Sequence, residues 1–249
     1  MTYSSAYFEK ENQNLFDAQL NKYHKIAESL NLNENSKVLE IGCGWGGFSS
    51  YAAKNFKSKI DAITISKEQY EYASNKIQKE GLGEKVSIKF KDYRDIDTQY
   101  SNIASIEMFE AVGKKYWEKY FDIVSNSLIH SGKAALQIIT IDEKRSLNYQ
   151  NQPDFIQQYI FPGGMLPTKK ELLEINNKVG LDFKEIKSFG LSYAKTLSLW
   201  NTQFQSSWND LVKLGFNDRF KRMWEFYLAY CETGFISQST DVSHFLITK

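Results

Sequence analysis

The densest chemical information in this chain lies in ten residues, Val38-Leu39-Glu40-Ile41-Gly42-Cys43-Gly44-Trp45-Gly46-Gly47. An apolar, β-favouring run carries an acid near its end and then breaks into four glycines within six positions. This reads as a strand entering a tight loop where backbone approaches a ligand closely, because glycine tolerates positive φ and has no Cβ to clash. Gly42, Gly44 and Gly47 satisfy G-x-G-x-x-G, a pattern shared with dinucleotide sites and weak by itself. Three details favour S-adenosylmethionine (SAM) over NAD. Glu40 sets a carboxylate where it can answer a cationic ligand rather than a pyrophosphate. The glycines continue as G-x-G-x-G, which adds Gly46. The next strand, Lys59 to Ile65, runs into Thr64-Ile65-Ser66 without the acid that a nucleotide ribose recruits about 20 residues on.

The elements that must position this loop follow from periodicity. Leu15, Ala18, Leu20, Ile26, Ala27 and Leu30 recur at near-helical spacing over residues 14 to 32, which predicts a helix ahead of the first strand. After the loop, Phe48, Tyr51 and Ala52 line the inner face of a second helix. Lys59 to Ile65 is a strand, Lys67 to Glu80 a helix capped by Ser66, and Val86 to Phe90 and Ile103 to Ile106 are further strands. Tyr116 to Leu128 is a helix and Ala134 to Ile141 a very apolar strand. Such β-α alternation implies an α/β fold with a doubly wound, mostly parallel sheet and the ligand at the carboxyl ends of its strands.

The rhythm changes near residue 142. Residues 142 to 168 hold all three prolines, Pro153, Pro162 and Pro167, and the Gly163-Gly164 pair among large aromatics. Helices are predicted over Leu197 to Trp208 and Asn217 to Phe235, and a terminal strand over Val242 to Thr248. The chain divides on this basis into a cofactor-binding core (1–141), a lid and substrate region (142–235) and the last strand (236–249), all within one domain.

Composition sets the limits. The 249 residues suffice for one α/β domain with a sizeable core, and 42% hydrophobic and 15% aromatic content excludes disorder. A net charge of +1 gives no global field for nucleic acid. No run approaches the ~20 apolar residues of a membrane helix, and the N-terminus lacks a signal-peptide pattern, so a cytoplasmic protein is expected. Cys43 and Cys231 form no CxxC pair, and His24, His130 and His244 are scattered, so neither a disulfide nor a metal site is expected.

The chain resembles the cyclopropane-fatty-acyl-phospholipid synthase and mycolic acid cyclopropane synthase family of SAM-dependent methyltransferases. The matching motifs run in order from Met1-Thr2-Tyr3-Ser4-Ser5-Ala6-Tyr7-Phe8 through the glycine loop, Thr64-Ile65-Ser66-Lys67-Glu68-Gln69, Asp92-Tyr93-Arg94-Asp95 and Met108-Phe109-Glu110-Ala111-Val112-Gly113. They continue with Tyr159-Ile160-Phe161-Pro162-Gly163-Gly164, Phe220-Lys221-Arg222-Met223-Trp224 and Tyr227-Leu228-Ala229-Tyr230-Cys231. The resemblance implies the class I, Rossmann-like methyltransferase fold with a seven-stranded sheet and a helical lid. Some bacterial members carry a further N-terminal domain, for which this chain is expected to have no room.

Ligand roles follow from the resemblance by position. Tyr3 and Ser4 would close over the methionine end of SAM, with Gly42 and Gly44 beneath it. Thr64 and Gln69 would hold the ribose and adenine side, and Tyr93, Arg94 and Ile106 would lie near the base. The implied reaction adds the sulfonium methyl to a cis double bond of an unsaturated phospholipid acyl chain, releases S-adenosylhomocysteine, and closes a cyclopropane ring after a proton is lost. It needs an apolar tunnel, aromatic faces for passing positive charge and a base shielded from water. In the family that base is a bicarbonate ion. Glu110 and Tyr227 match two of its ligands and Ile139 the backbone donor. Ser5 stands where many members have cysteine, and Gln137 where bacterial members have histidine; both can still hydrogen-bond an anion.

Cys231 aligns with a cysteine assigned to the active site of the family. Electrophilic methyl addition needs no covalent intermediate, which favours pocket lining or buried packing. Phe161, Tyr193, Trp200 and Phe204 are candidates for the tunnel, and equally for plain core. Lys213, Arg219, Lys221 and Arg222 beside Phe216, Phe220, Met223 and Trp224 suit a transient, peripheral contact with an anionic membrane surface, or a solvated helix face over a core stripe. Rival readings are a fatty-acyl methyltransferase that makes a methyl or methylene branch, a small-molecule N-methyltransferase, and a noncatalytic lipid- or cofactor-binding protein. The oligomeric state, a homo-oligomer included, stays open.

Overall fold

A computed structural model describes residues 1–249. Five parallel strands build up from the chain's first two-thirds: β1 (Lys37–Ile41), β2 (Lys59–Thr64), β3 (Val86–Phe90), β4 (Tyr100–Ile106) and β5 (Leu128–Ile141). β6 (Asp182–Ser188) and β7 (Thr240–Thr248) complete the sheet in the order β3-β2-β1-β4-β5-β7-β6, with β7 antiparallel to both its neighbours. The sheet reverses its direction of growth between β1 and β4, and their carboxyl ends pair side by side, Glu40 with Ala104 and Ile41 with Ser105. That crevice is where an open α/β sheet receives a ligand.

The helices form for the local reasons expected. Asn14 caps α1 (Leu15–Ser29) by accepting from the Asp17 amide, and Ser66 caps α3 (Lys67–Lys79) by accepting from Gln69. α2 (Gly47–Phe56) starts directly from the glycine loop, and α4 (Trp117–Ser127) precedes β5. Alternate strand residues separate two cores. Val38, Ile60, Ala62 and Ala104 meet Tyr23, Ile26, Phe48 and Ile77 on one face, while Leu39, Ile103, Leu136 and Phe245 meet Phe109, Trp117, Tyr120 and Phe121 on the other. A third cluster joins α7 (Gly190–Ser206) and α9 (Asp218–Ile236) to Val242 of β7.

The span from 142 to 235 is more structured than its sequence suggests. It holds α5 (Glu143–Asn151), α6 (Lys169–Lys178) and the short α8 (Trp208–Lys213) as well as α7 and α9. A capping box in which Thr168 and Glu171 satisfy each other's backbone amides starts α6. α6 and β6 belong to the sheet layer rather than to a lid: Leu172 and Leu181 are buried in the same core as Phe121. The helix predicted from Leu197 begins earlier, at Gly190, and ends at Ser206. β6 escapes sequence reading because it is an edge strand exposed along nearly its whole length, with Lys184, Glu185 and Lys187 guarding the edge.

Phe245 links these layers, being 1% exposed and stacked on Phe183 of β6 at 4.8 Å. Phe245→Ala is expected to lower stability by about 3–5 kcal/mol, measured as a shift in the denaturant midpoint with an unchanged slope.

Candidate active site

A cavity of about 730 Å³ opens at the β1/β4 crevice. Its floor is the glycine loop. Gly42, Gly44 and Gly46 all have positive φ, and a Cβ on Gly42 would come within 2.7 Å of Met108 Cγ, so only glycine lets the loop pass. Gly42 and Gly44 line the cavity with Glu40, and Gly47 carries the wall into the N-terminus of α2. Gly46 instead caps that helix and lies outside the lining.

Glu40 is buried and accepts from the Ser49 hydroxyl. Burial pushes its carboxyl up to about 8, against the pull of Ser49, Lys76 and Lys22. Gln69 and Ile106 reach the cavity, and Thr64 acts behind Gln69 by donating to its Oε1 at 2.8 Å. The expected base-side pair does not reach it. Tyr93 packs on Tyr120 at 5.4 Å, and Arg94 is exposed and pairs with Asp92 through Nε and Nη2 at 3.0 and 2.6 Å.

The N-terminal segment forms the roof. Tyr3 and Ser4 line the cavity, and the Tyr3 ring stacks on Trp200 at 5.2 Å. Ser4 is held from below by Lys22, whose ammonium donates to Ser4 Oγ at 2.6 Å and to Gln19 Oε1. Lys22 is fully buried, which drives its pKa down to about 7 despite Glu107 and Glu40 nearby.

Beyond the loop lies a carboxylate that sequence reasoning passed over. Glu107 follows β4 directly and lines the cavity. Its Oε1 accepts from the Ser5 amide at 2.8 Å and from Gln137 Nε2 at 2.6 Å, and its Oε2 from the Tyr193 hydroxyl at 2.7 Å. Its backbone holds φ 50, a left-handed conformation that costs a non-glycine residue of order 1 kcal/mol. Gln137 is itself oriented: its Oε1 can only accept, so His244 donates from Nε2 at 2.9 Å. Burial lowers the His244 pKa to about 3, which keeps the ring neutral.

These contacts correct three expectations. Ser5 faces the site with its amide, while its hydroxyl donates to Ala6 O. The two tyrosines exchange places: Tyr193, placed in the tunnel, holds the carboxylate, and Tyr227, placed at the anion, shares a 2.8 Å hydrogen bond with the Tyr3 hydroxyl. The Ile139 amide, expected to serve an anion directly, donates to Glu110 Oε1 at 2.6 Å.

Glu110 lies behind the cavity wall, and its buried Oε2 has no partner. Burial and the charge of Glu107 raise its pKa to about 8, so it holds a proton at neutral pH. Burial raises Glu107 as well, but three donors oppose that rise. Of the two carboxyls, Glu107 is the one equipped to carry the charge. The sequence signal was available: an acid immediately after an apolar strand, at the carboxyl edge of the sheet.

Trp200 and Phe204 line the far wall with Trp224 and Leu228. Phe161 flanks it, edge-on to Tyr227 at 6.1 Å. Cys231 packs against the third core cluster, and burial pushes its thiol up to about 12, an inert packing cysteine. The basic-aromatic stretch is divided: Trp224 faces inward with Phe220 stacked on it at 5.6 Å, Lys221 lies over the Trp208 ring, and Phe216 is exposed. No helix is long and apolar enough to cross a membrane.

Strand order, glycine loop and crevice together define the class I SAM-dependent methyltransferase fold. A solved mycolic acid cyclopropane synthase, CmaA1 complexed with SAH and CTAB, superposes with a TM-score of 0.91 at 26% identity, over 100% of this chain and 90% of that one. The chain belongs to the mycolic acid cyclopropane synthetase family, whose model matches residues 1–245. It is 38% identical over 233 residues to a tuberculostearic acid methyltransferase of Mycobacterium tuberculosis, covering 93% of this chain and 54% of the relative. It is 37% identical over 235 residues to the cyclopropane-fatty-acyl-phospholipid synthase of Escherichia coli K12, covering 94% and 59%. The chain therefore spans rather more than half the length of these two relatives.

Stability should report the buried carboxyls. Glu40 and Glu110 have folded pKa values near 8 against 4.5 for the free side chain. A raised carboxyl contributes stability that is fully present below pH 4.5 and lost as pH climbs through 8, at about 1 kcal/mol per pH unit for each group. Lys22, lowered from 10.5 to about 7, offsets this only above neutrality. Thermal unfolding is expected to shift down between pH 5 and 7, and Glu110→Gln to flatten that slope; an unchanged slope would mean Glu110 is ionised in the folded protein.

Proposed function

We propose that this protein uses SAM to methylate the cis double bond of an unsaturated phospholipid acyl chain, closing a cyclopropane ring, during transient contact with a membrane surface. The observation that carries this reading is one continuous cavity in which the glycine loop and Glu40 share walls with Trp200, Phe204, Trp224 and Leu228, with the Glu107 carboxylate among the lining residues. A polar cradle and a greasy aromatic wall in one space suit a charged donor and a hydrocarbon acceptor. The relative named for cyclopropane synthesis on phospholipid acyl chains, and the structural neighbour complexed with SAH, support it.

SAM fits the residues present. The loop at Gly42 and Gly44 admits a closely approaching ligand, Glu40 offers the opposite charge to a cation, Gln69 and Ile106 complete the far end, and Tyr3 and Ser4 form the roof. When bound, it supplies an electrophilic methyl group. Tyr3 stacked on Trp200 presents aromatic faces to the positive charge that the acyl chain acquires, and the raised pKa of Glu40 falls as a cation approaches. A bicarbonate ion does not fit alongside. The donors available to it, the Ser5 amide, the Gln137 amide and a tyrosine hydroxyl, already converge on Glu107, and a second anion would meet a carboxylate. No step here runs through bicarbonate.

The tuberculostearic acid methyltransferase relative favours a second outcome from the same first bond, a methylene branch, or a methyl branch where a hydride donor reduces it. Purified protein given SAM and vesicles of cis-unsaturated phospholipid is expected to release S-adenosylhomocysteine and to leave lipids heavier by one CH₂. Vesicles of saturated phospholipid should give neither. Ring and methylene products separate by fragmentation and by reaction with ozone. Equal release on saturated vesicles would place the methyl on a head group and end this reading.

A further inference from the structure

We infer that Glu107 is the base of the reaction, a carboxylate built into the chain at the place where donors would otherwise gather a free anion. This role rests on the alkene methylation proposed above. Three hydrogen-bond donors from separate parts of the chain, the Ser5 amide, Gln137 Nε2 and the Tyr193 hydroxyl, meet on the two oxygens of one side chain. Such convergence is an anion site, and its occupant is covalently attached. The attachment is strained: residue 107 holds a φ of 50, where glycine would sit freely. A side chain of this length in that conformation persists because its carboxylate is held at the far end.

Glu107 also reaches the reacting space. It lines the cavity beside Ile106 and Met108, whereas Glu110 is absent from the lining and keeps one oxygen on the Ile139 amide. The surrounding groups support an ionised Glu107. His244 is neutral and orients Gln137 as a donor, Glu110 carries its own proton, and Lys22 contributes positive charge from below. Burial strengthens the carboxylate as a proton acceptor.

The step balances without a further reactant. As the S–CH₃ bond breaks, its electron pair stays on sulfur, and the alkene π pair forms the new C–C bond. Positive charge is left on the other alkene carbon. Glu107 takes a proton from the new methyl group, and the freed C–H pair forms the third side of the ring. The net products are S-adenosylhomocysteine, the cyclopropane and one proton, which Glu107 returns to solvent.

The experiment compares wild type, Glu107→Gln and Glu107→Gly on cis-unsaturated phospholipid vesicles in carbon-dioxide-free buffer, with and without added bicarbonate. S-adenosylhomocysteine release, lipid products and calorimetric S-adenosylhomocysteine affinity are read for each. Wild-type turnover is expected to be indifferent to bicarbonate. Glu107→Gln is expected to lose roughly 10²–10⁴-fold in kcat with near-normal affinity. Glu107→Gly relieves the backbone and frees the three donors, so its turnover should be low alone and restored by bicarbonate, with a planar anion between Ser5, Gln137 and Tyr193 in its crystal structure. Wild-type turnover that requires bicarbonate, or Glu107→Gln as active as wild type, would overturn the assignment while leaving the methylation intact. Wild type inert on every unsaturated lipid would instead remove the function, and the base with it.

Discussion

The chain's most demanding constraint is to hold the half-buried carboxylate of Glu107 under converging donors at the carboxyl edge of the sheet. A buried charge without partners costs several kcal/mol, and Glu107 avoids that cost by drawing donors from the N-terminal segment, from β5 and from α7. Residues 5, 107, 137 and 193 lie far apart in sequence, so the carboxylate acts as a staple. It fastens the roof and the helical layer to the carboxyl edge of the sheet. The antiparallel β7 supports this staple. It brings His244 opposite Gln137, in direct register, where the ring fixes which end of the amide faces the carboxylate.

Two carboxyls three residues apart thus acquire different characters from their surroundings alone. Glu107 sits in the cavity wall under three donors; Glu110 sits behind it with one amide and an orphaned oxygen. The charge of Glu107 adds to burial in raising Glu110, so the inner carboxyl is the better proton holder. Glu40 and Lys22 repeat the pattern beneath the glycine loop: burial keeps both near the edge of ionisation, and the approach of a cation can tip Glu40. The electrostatics of this crevice are therefore set by depth and donor count more than by the number of charged residues.

What sequence reading recovered, and what it missed, follows from how local each signal is. The glycine loop, the apolar parallel strands and the caps at Asn14 and Ser66 are decided within a few residues, and each lies where expected. β6 is decided by a neighbour, since its own residues are polar and it becomes a strand by pairing with β7. Aromatic spacing on a helix left Trp200 and Phe204 equally open to tunnel and core, and only the packing of α7 sets both in the cavity lining. The choice between Tyr193 and Tyr227 was not legible either, because both are tyrosines on amphipathic helices and only the packing of α7 against α9 aims one hydroxyl at Glu107. In the sequence Glu107 is masked by Glu110, the acid that fits the family's motif. The discriminating property, a left-handed backbone under a non-glycine residue, cannot be read from residue type. Tyr93 and Arg94 are claimed instead by local contacts, Arg94 by Asp92 and Tyr93 by the ring of Tyr120.

The roof has no secondary structure of its own. It is tied down by Ser5 to Glu107, Ser4 to Lys22 and Tyr3 to Tyr227, and Met1 and Thr2 are already part of the cavity lining. Because β7 runs against the parallel strands, Lys249 emerges at the opposite edge of the sheet, beside Ser131. The two chain ends are therefore unequal as handles. A peptide tag or fusion partner attached ahead of Met1 would hang at the mouth of the cavity and pull on its ceiling, whereas one attached after Lys249 would trail from the far side of the sheet.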